Sequence, residues 1–354
     1  MSGYLDALDQ EIASTMNYFD PRPIGSSLYI GGGTPTLIHR EQFKVFMDNL
    51  HSHIALTSNA EITVEMNPSD CSYEYLNTLS SCKVNRLSIG VQSFSDAELN
   101  RLGRTHSSKL LNAVIHDAKS AGIESVSIDL LYGHPGHTME SWKDTLESSI
   151  KLRPDHISCY ALTLGSHRSH MLSRSLGLVI PDDEMVEFYG LATDLLSKAG
   201  YTHYETSNWA LNGHQSEHNK QIWSGAEYMA FGCGAHAYID KRRYSIIRHP
   251  QEYINSIASK RSVVDSVEKL TGVDLLVEAI TLPLRTSDGI NITELSRRFN
   301  YSIMEEHSLV ISNLTENGLA LLEKDRLHLT DKGLFLADGI GGQLLPNIVA
   351  NSKT

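Results

Sequence analysis

A short apolar run, Ser27-Leu28-Tyr29-Ile30, ends in Gly31-Gly32-Gly33-Thr34-Pro35. Consecutive glycines at a strand end let backbone N–H and C=O groups come close to a ligand, and a proline stiffens the way out. Four further apolar runs carry polar residues toward their C-terminal ends. These are Glu65 in Val64-Glu65-Met66-Asn67-Pro68, Gln92 in Gly90-Val91-Gln92-Ser93-Phe94, Asp129 in Ser127-Ile128-Asp129-Leu130, and Thr163 after Tyr160-Ala161-Leu162. Arg104, in Leu102-Gly103-Arg104, adds a guanidinium able to hold a carboxylate through two parallel bonds. As a set they suit a zwitterionic nucleoside. The backbone of Gly32 and Gly33 and the side chain of Arg104 serve the amino-acid end, Asp129 accepts from ribose hydroxyls, and Glu65 and Gln92 supply further acceptors and donors. Singly, each has a plainer account: Arg104 could pair with Asp96 or Glu98 on a surface helix, and Asn67-Pro68 could simply open a turn.

Such residues need a scaffold that gathers strand ends. From residue 28 to about 206, short β-branched or apolar runs alternate with longer helical periods, the pattern of a parallel sheet with crossover helices. Strands are expected near 28–31, 61–65, 86–91, 125–131, 157–163 and 201–206, and helices near 39–52, 73–81, 107–121, 139–151 and 182–199. The cleanest apolar stripe is Leu110, Leu111, Val114, Ala118 and Ala121. In a barrel of this kind the C-terminal strand ends build the active site. A helix-like stretch from Tyr4 to Met16 has no strand before it, which would leave the first strand an open edge unless something else covers it. After about 207 the alternation gives way to a mixed region with His214, His218, Trp223 and the turn Phe231-Gly-Cys-Gly-Ala-His236. Residues 270–345 form a small unit, with helices near 270–282, 292–299 and 303–317 and a hairpin from Gly318 to Thr330, in a winged-helix-like order. Three units follow: 1–206, 207–265 and 266–354.

A formal charge of −12 over 354 residues argues against nucleic acid as a partner, because phosphate neutralisation needs a basic surface. Neither a run of eighteen apolar residues nor a signal peptide is present, which points to the cytoplasm. Cys71, Cys82, Cys159 and Cys233 are scattered without C-x-x-C spacing, so they read as small buried hydrophobes, and no metal-ligand set is assigned.

The glycine loop, Glu65-Met66-Asn67-Pro68, Asn85 to Phe94, Leu102-Gly103-Arg104 with His106, and Asp129 to Gly136 together resemble the coproporphyrinogen-oxidase-like branch of the radical S-adenosylmethionine proteins. The segment Tyr204 to Trp209 and His218-Asn219-Lys220-Gln221-Ile222-Trp223 is similar to its heme-chaperone members. The likeness covers nearly the whole chain. It implies a partial (β/α)6 barrel, here lacking its first strand, with a winged-helix-like C-terminal domain. It implies S-adenosylmethionine contacts at Gly32, Gly33, Thr34, Glu65, Gln92, Arg104, Asp129 and the backbone near Thr163. It also implies heme binding, with His218 as axial ligand, His236 as a second candidate and Trp223 stacking on the porphyrin or filling the core. The expected activity is transfer of heme to an acceptor protein. Two departures stand out: the family's C-x-x-x-C-x-x-C motif for a [4Fe–4S] cluster is missing, and Ile222 stands where the heme-carrier motif has tyrosine. The chain would begin downstream of that motif, through a misplaced start codon or a reduced gene. The alternatives are an oxygen-independent coproporphyrinogen III dehydrogenase, disfavoured by the missing cysteines, and a cluster-free relic that binds a nucleoside or a protein.

Overall fold

The computed structural model describes residues 2–162 and 180–346. Five strands, β1 (Ile24–Ile30), β2 (Ala55–Met66), β3 (Arg86–Gln92), β4 (Ser125–Tyr132) and β5 (His156–Ala161), run parallel and in sequence order. Helix α1 (Ser2–Met16) precedes them, and α2 (Arg40–His53), α3 (Tyr73–Ser81), α4 (Asp96–Arg101), α5 (Leu111–Ser120) and α6 (Met139–Leu152) make the crossovers. The seven-stranded sheet has the order β1-β2-β3-β4-β5-β7-β6, with β6 (Thr202–Glu205) and β7 (Asn208–Ala210) at one end, and it curls into a half barrel.

The strand sequences dictate two unlike faces. Parallel strands covered on both sides usually read as continuous apolar runs. Here they alternate: Ile62, Val64 and Met66, Leu87, Ile89 and Val91, and Val126, Ile128 and Leu130 are buried in the main core with α1, α2, α3, α5 and α6. The opposite face carries Ser27 and Tyr29, Glu61, Thr63 and Glu65, Arg86 and Ser88, Ser127 and Asp129, and His156 and Ser158. The concave side of the sheet is therefore a polar lumen.

The elements depart from expectation in four places. Strand 201–206 does not pair with β5; β7 slips between them, antiparallel to both β5 and β6, because Ser207 turns the chain straight back. The helix expected over 107–121 opens with a 3₁₀ turn at Ser108–Leu110, and that turn takes Leu110 off the buried stripe, 44% exposed, while Ile115 joins it. The helix expected over 303–317 breaks at His307 into Ile303–Glu306 and Ser308–Glu316. The region after 207 contains a three-stranded antiparallel sheet of β8 (His236–Ile239), β9 (Arg242–Ile246) and β10 (Val264–Lys269).

β1 remains an edge strand, paired to β2 alone among the described residues. α1 lies against α2 and the helix Pro250–Ala258, and the short helix Glu217–Trp223 packs against β1. The C-terminal unit joins helices such as Gly272–Thr281, Ile292–Phe299 and Ala337–Gln343 to a sheet of β11 (Ile290–Asn291), β13 (Arg326–Leu329) and β12 (Ala320–Glu323). Its own core includes Ile280, Leu284, Ile303, Leu327 and Ile340. No helix among the described residues is long and apolar enough to cross a membrane.

Candidate functional site

The glycine loop is shaped by the residue beneath it. Gly32 and Gly33 lie at φ of +82° and +74°, where L side chains are strained, and a Cβ on Gly31 would come within 2.7 Å of the Glu65 carboxylate and the Tyr29 ring. Glu65 holds the loop from below: Gly32 N–H donates to Oε2 at 3.1 Å and the Tyr29 hydroxyl donates to Oε1 at 2.7 Å. Each Glu65 oxygen thus accepts one bond, one from β1 and one from the loop, and keeps acceptor capacity beyond it. Next along the rim, Asn67 Nδ2 donates to Thr34 Oγ1 at 3.3 Å, and Arg104 Nη1 donates to Asn67 Oδ1 at 3.4 Å. Arg104 reaches neither Asp96 nor Glu98; Asp96 instead accepts from Ser107 and Ser108. Gln92 sits at φ +67° with its amide 3.0 Å from where a Gly90 Cβ would be, and Asn67 Oδ1 is 3.9 Å from that same point. Glu65, Asn67, Thr34, Arg104 and Gln92 therefore share one rim. Thr163 lies outside the described residues.

Asp129 belongs to a different level. It stands inside β4, not at its end, and the two-residue side-chain period points it into the lumen. Removal from water pushes its carboxyl up, and the Ser88 hydroxyl, donating at 2.9 Å, together with the Ser158 side chain on the neighbouring strand opposes that rise.

Deeper in the lumen, Glu61 closes the N-terminus of the helix Glu217–Trp223. Its carboxylate accepts from Glu217 N–H at 2.9 Å, His218 N–H at 3.0 Å and the Ser216 hydroxyl at 3.1 Å. Arg86 Nε, buried and without a hydrogen-bond partner among the described residues, stands 3.8 Å from the same carboxylate. This clamp sets His218 against β1: its ring stacks on Tyr29 with centroids 5.0 Å apart, and Nδ1 lies 3.0 Å from Ser27 Oγ. Desolvation lowers the His218 pKa, favouring the neutral imidazole, and nothing among the described residues hydrogen-bonds Nε2.

The other two heme candidates are placed differently. Arg285 lies over one face of the Trp223 ring at 5.1 Å, so Trp223 meets the C-terminal unit. His236 is exposed at the start of β8, in a different sheet from β1, the strand on which His218 packs. The four cysteines do not gather: Cys71 and Cys82 flank α3, Cys159 lies in β5 and Cys233 in the loop before β8. Burial pushes the thiols of Cys71 and Cys159 up.

Three residues that the sequence reading did not single out come together beside the rim. Glu98 of α4 meets His134 and His137 of the loop after β4, with ligand-capable atoms all within 4.8 Å of one another and all three side chains buried. The His-x-x-His spacing just past a strand was the available signal, but Glu98 is distant in sequence.

Residues 6–148 match the Radical SAM superfamily and residues 270–336 the HemN C-terminal domain. The chain is 32% identical to the heme chaperone HemW of Lactococcus lactis over 96% of its own length and 88% of that protein's. It is 31% identical to the heme chaperone HemW of Bacillus subtilis, covering 97% and 91% respectively. The chain belongs to the HemW family. Among solved structures, coproporphyrinogen III oxidase (HemN) from Escherichia coli, described as a radical SAM enzyme, superposes with a TM-score of 0.83 at 22% identity, covering 96% of this chain and 82% of that one, which establishes the fold. The radical SAM superfamily implies S-adenosylmethionine and a [4Fe–4S] cluster. The first fits the glycine rim, where backbone at positive φ lies open and the Arg104 guanidinium makes a single long bond. The second does not fit this chain's thiols, which sit on separate elements.

Proposed function

We propose that this protein is a heme chaperone, which binds heme and passes it to an acceptor protein in the cytoplasm. The observation that carries this reading is the extended identity with heme chaperones named HemW, over nearly the full chain and most of each relative. His218 is our candidate axial ligand. Its Nδ1 faces a hydroxyl, which orients the ring and leaves the Nε2 lone pair for iron. Trp223 acts as a joint to the C-terminal unit, and the exposed His236 is the second candidate. In this reading residues 1–206 make the half barrel together with β7 just beyond them, the rest of 207–265 carries the heme-facing helix, and 266–354 form a C-terminal unit whose Arg285 bears on Trp223.

The test is titration of the purified protein with hemin, followed through the Soret band. A saturable shift is expected, and His218→Ala should weaken it at least tenfold while circular dichroism stays unchanged. Absence of saturation in the wild type, or a His218→Ala curve that overlays it, would sink the assignment.

A nucleoside reading of the rim stands beside this one, favoured by the convergence of the glycine loop, Gln92 and Arg104. We assign S-adenosylmethionine to Gly32, Gly33, Thr34, Gln92, Arg104 and, from inside the lumen, Asp129, with Glu65 holding the loop in shape. Calorimetry should give binding that Arg104→Ala weakens roughly tenfold or more through the lost carboxylate contact. Equal affinity in the two proteins would remove Arg104 from the site.

A further inference from the structure

Glu98, His134 and His137 lie outside both sites described above, and their surroundings are unusual for a structural hydrogen-bond cluster. Their side chains are 3%, 1% and 1% exposed. His134 Nε2 is 3.6 Å from Glu98 Oε2, and His137 Nε2 is 3.9 Å from Glu98 Oε1, too long in each case for a hydrogen bond. His134 Nε2 is a buried atom with no hydrogen-bond partner among the described residues, and it is aimed at the carboxylate. Because His134 Nδ1 faces the Pro135 carbonyl, a neutral His134 turns a lone pair toward an anion. Buried polar atoms are rarely left so, and a cation between the three groups would satisfy all of them.

We propose that Glu98, His134 and His137 form a binding site for one divalent transition-metal ion of the zinc class. Two imidazoles and a carboxylate are the donor set of zinc and similar ions, whereas magnesium and calcium prefer oxygen. The second layer is already built. The Ser93 and Ser141 hydroxyls both donate to Glu98, Ser93 at 2.6 Å, and the stacked imidazoles, 4.1 Å between centroids, rest on Phe188 at 4.8 Å from His137.

The site carries two costs. Gly133 N–H donates to His137 Nδ1 at 3.2 Å, so ligation through Nε2 moves the ring proton to Nδ1 and gives up that bond. Arg101 Nη2, 3.9 Å from Glu98 Oε1, must swing away, which its half-exposed side chain allows. The ion would staple α4, which follows the Gln92 strand end, to the loop after β4. Nothing in this inference depends on heme or nucleoside binding.

The experiment is a zinc titration of the full-length folded protein against a chromophoric chelator, with Co²⁺ as the visible-absorption probe. One saturable equivalent is expected, weakened roughly 100-fold or more by His134→Gln and by His137→Gln, with Co²⁺ d–d bands lost in both. X-ray absorption of the zinc-loaded wild type needs no variant and should give two imidazoles with oxygen. No saturable equivalent, variants that bind as the wild type does, or a shell containing sulfur or fewer than two imidazoles would each overturn the proposal.

Discussion

Two groups of imidazoles sit at different depths of the half barrel and face opposite kinds of partner. His218, inside the lumen, has a neutral hydroxyl, Ser27, on Nδ1 and a tyrosine ring on its face. His134 and His137, outside the lumen, both face a carboxylate that two serines also serve. A neutral partner orients a ring without consuming its basicity, so His218 keeps a lone pair to offer. A buried carboxylate instead demands positive charge or several donors, and everything around Glu98 is organised to meet that demand. One environment leaves a single ring to receive a ligand, the other sets two rings and a carboxylate around one point where a cation would satisfy all three.

The largest test of this contrast is Glu98→Ala. It strands four donors or imidazoles in a buried space, and the loss should be about 3–5 kcal/mol, read from the denaturant midpoint at neutral pH. Burial alone would raise the Glu98 pKa, but the Ser141 and Ser93 hydroxyls that donate to it, with the His134 and His137 imidazoles beside it, bring it from 4.5 to about 2. Its stabilisation is thus complete above pH 4.5 and is lost as pH falls toward 2. The gap between wild type and Glu98→Ala should narrow across that window. His137, lowered by burial from 6.5 to about 4, adds a loss of wild-type stability between those values. A deficit under about 1 kcal/mol at pH 7 would mean the cluster is not the anchor that its donors suggest.

Much of this was legible from the chain. Strand alternation fixed which face is polar, because Ser-Val-Ser-Ile-Asp in β4 can place either the serines and aspartate or the valine and isoleucine against helices, and only the latter is affordable. The glycine loop was readable because three glycines at a strand end have no packing use. What local sequence withheld were pairings between distant elements. Glu65, expected as a ligand contact, is also the post under the loop, a role that its sequence neighbours do not reveal. Glu61 and Arg86 read as ordinary strand residues until the helix at Ser216 docks on them. β7 was lost in a segment too short to carry a period.

Glu205 extends the comparison to a carboxylate with the opposite balance. Burial pushes its pKa from 4.5 to about 7, against hydrogen bonds from Ser207, Thr206 and Asn208 that are too few to cancel it. A carboxyl raised in the folded state contributes its stability below pH 4.5 and loses it as pH rises to 7. Glu205→Gln should therefore gain on the wild type between pH 5 and pH 8, by up to about 3 kcal/mol for a shift of this size. Parallel stability curves for the two proteins over that range would show Glu205 to be ionised like Glu98, with the Trp223 and Arg285 side of the barrel holding enough positive potential to keep it so.

The finest discrimination lies at Ser27. If a neutral partner on Nδ1 is what suits His218 to bind at Nε2, then Ser27→Ala should leave stability within about 0.5 kcal/mol of wild type, since the hydroxyl is only half-buried. Hemin affinity should nonetheless fall roughly tenfold, the range seen when an outer partner of a metal-binding histidine is removed. Ser27→Asp makes the opposite change and gives His218 the kind of neighbour that Glu98 gives His134. It should raise the imidazole pKa, so that hemin binding weakens as pH falls toward that value while stability is supported there. Equal hemin affinity in wild type, Ser27→Ala and Ser27→Asp would mean that the Tyr29 stack and the Glu61 clamp alone orient the ring.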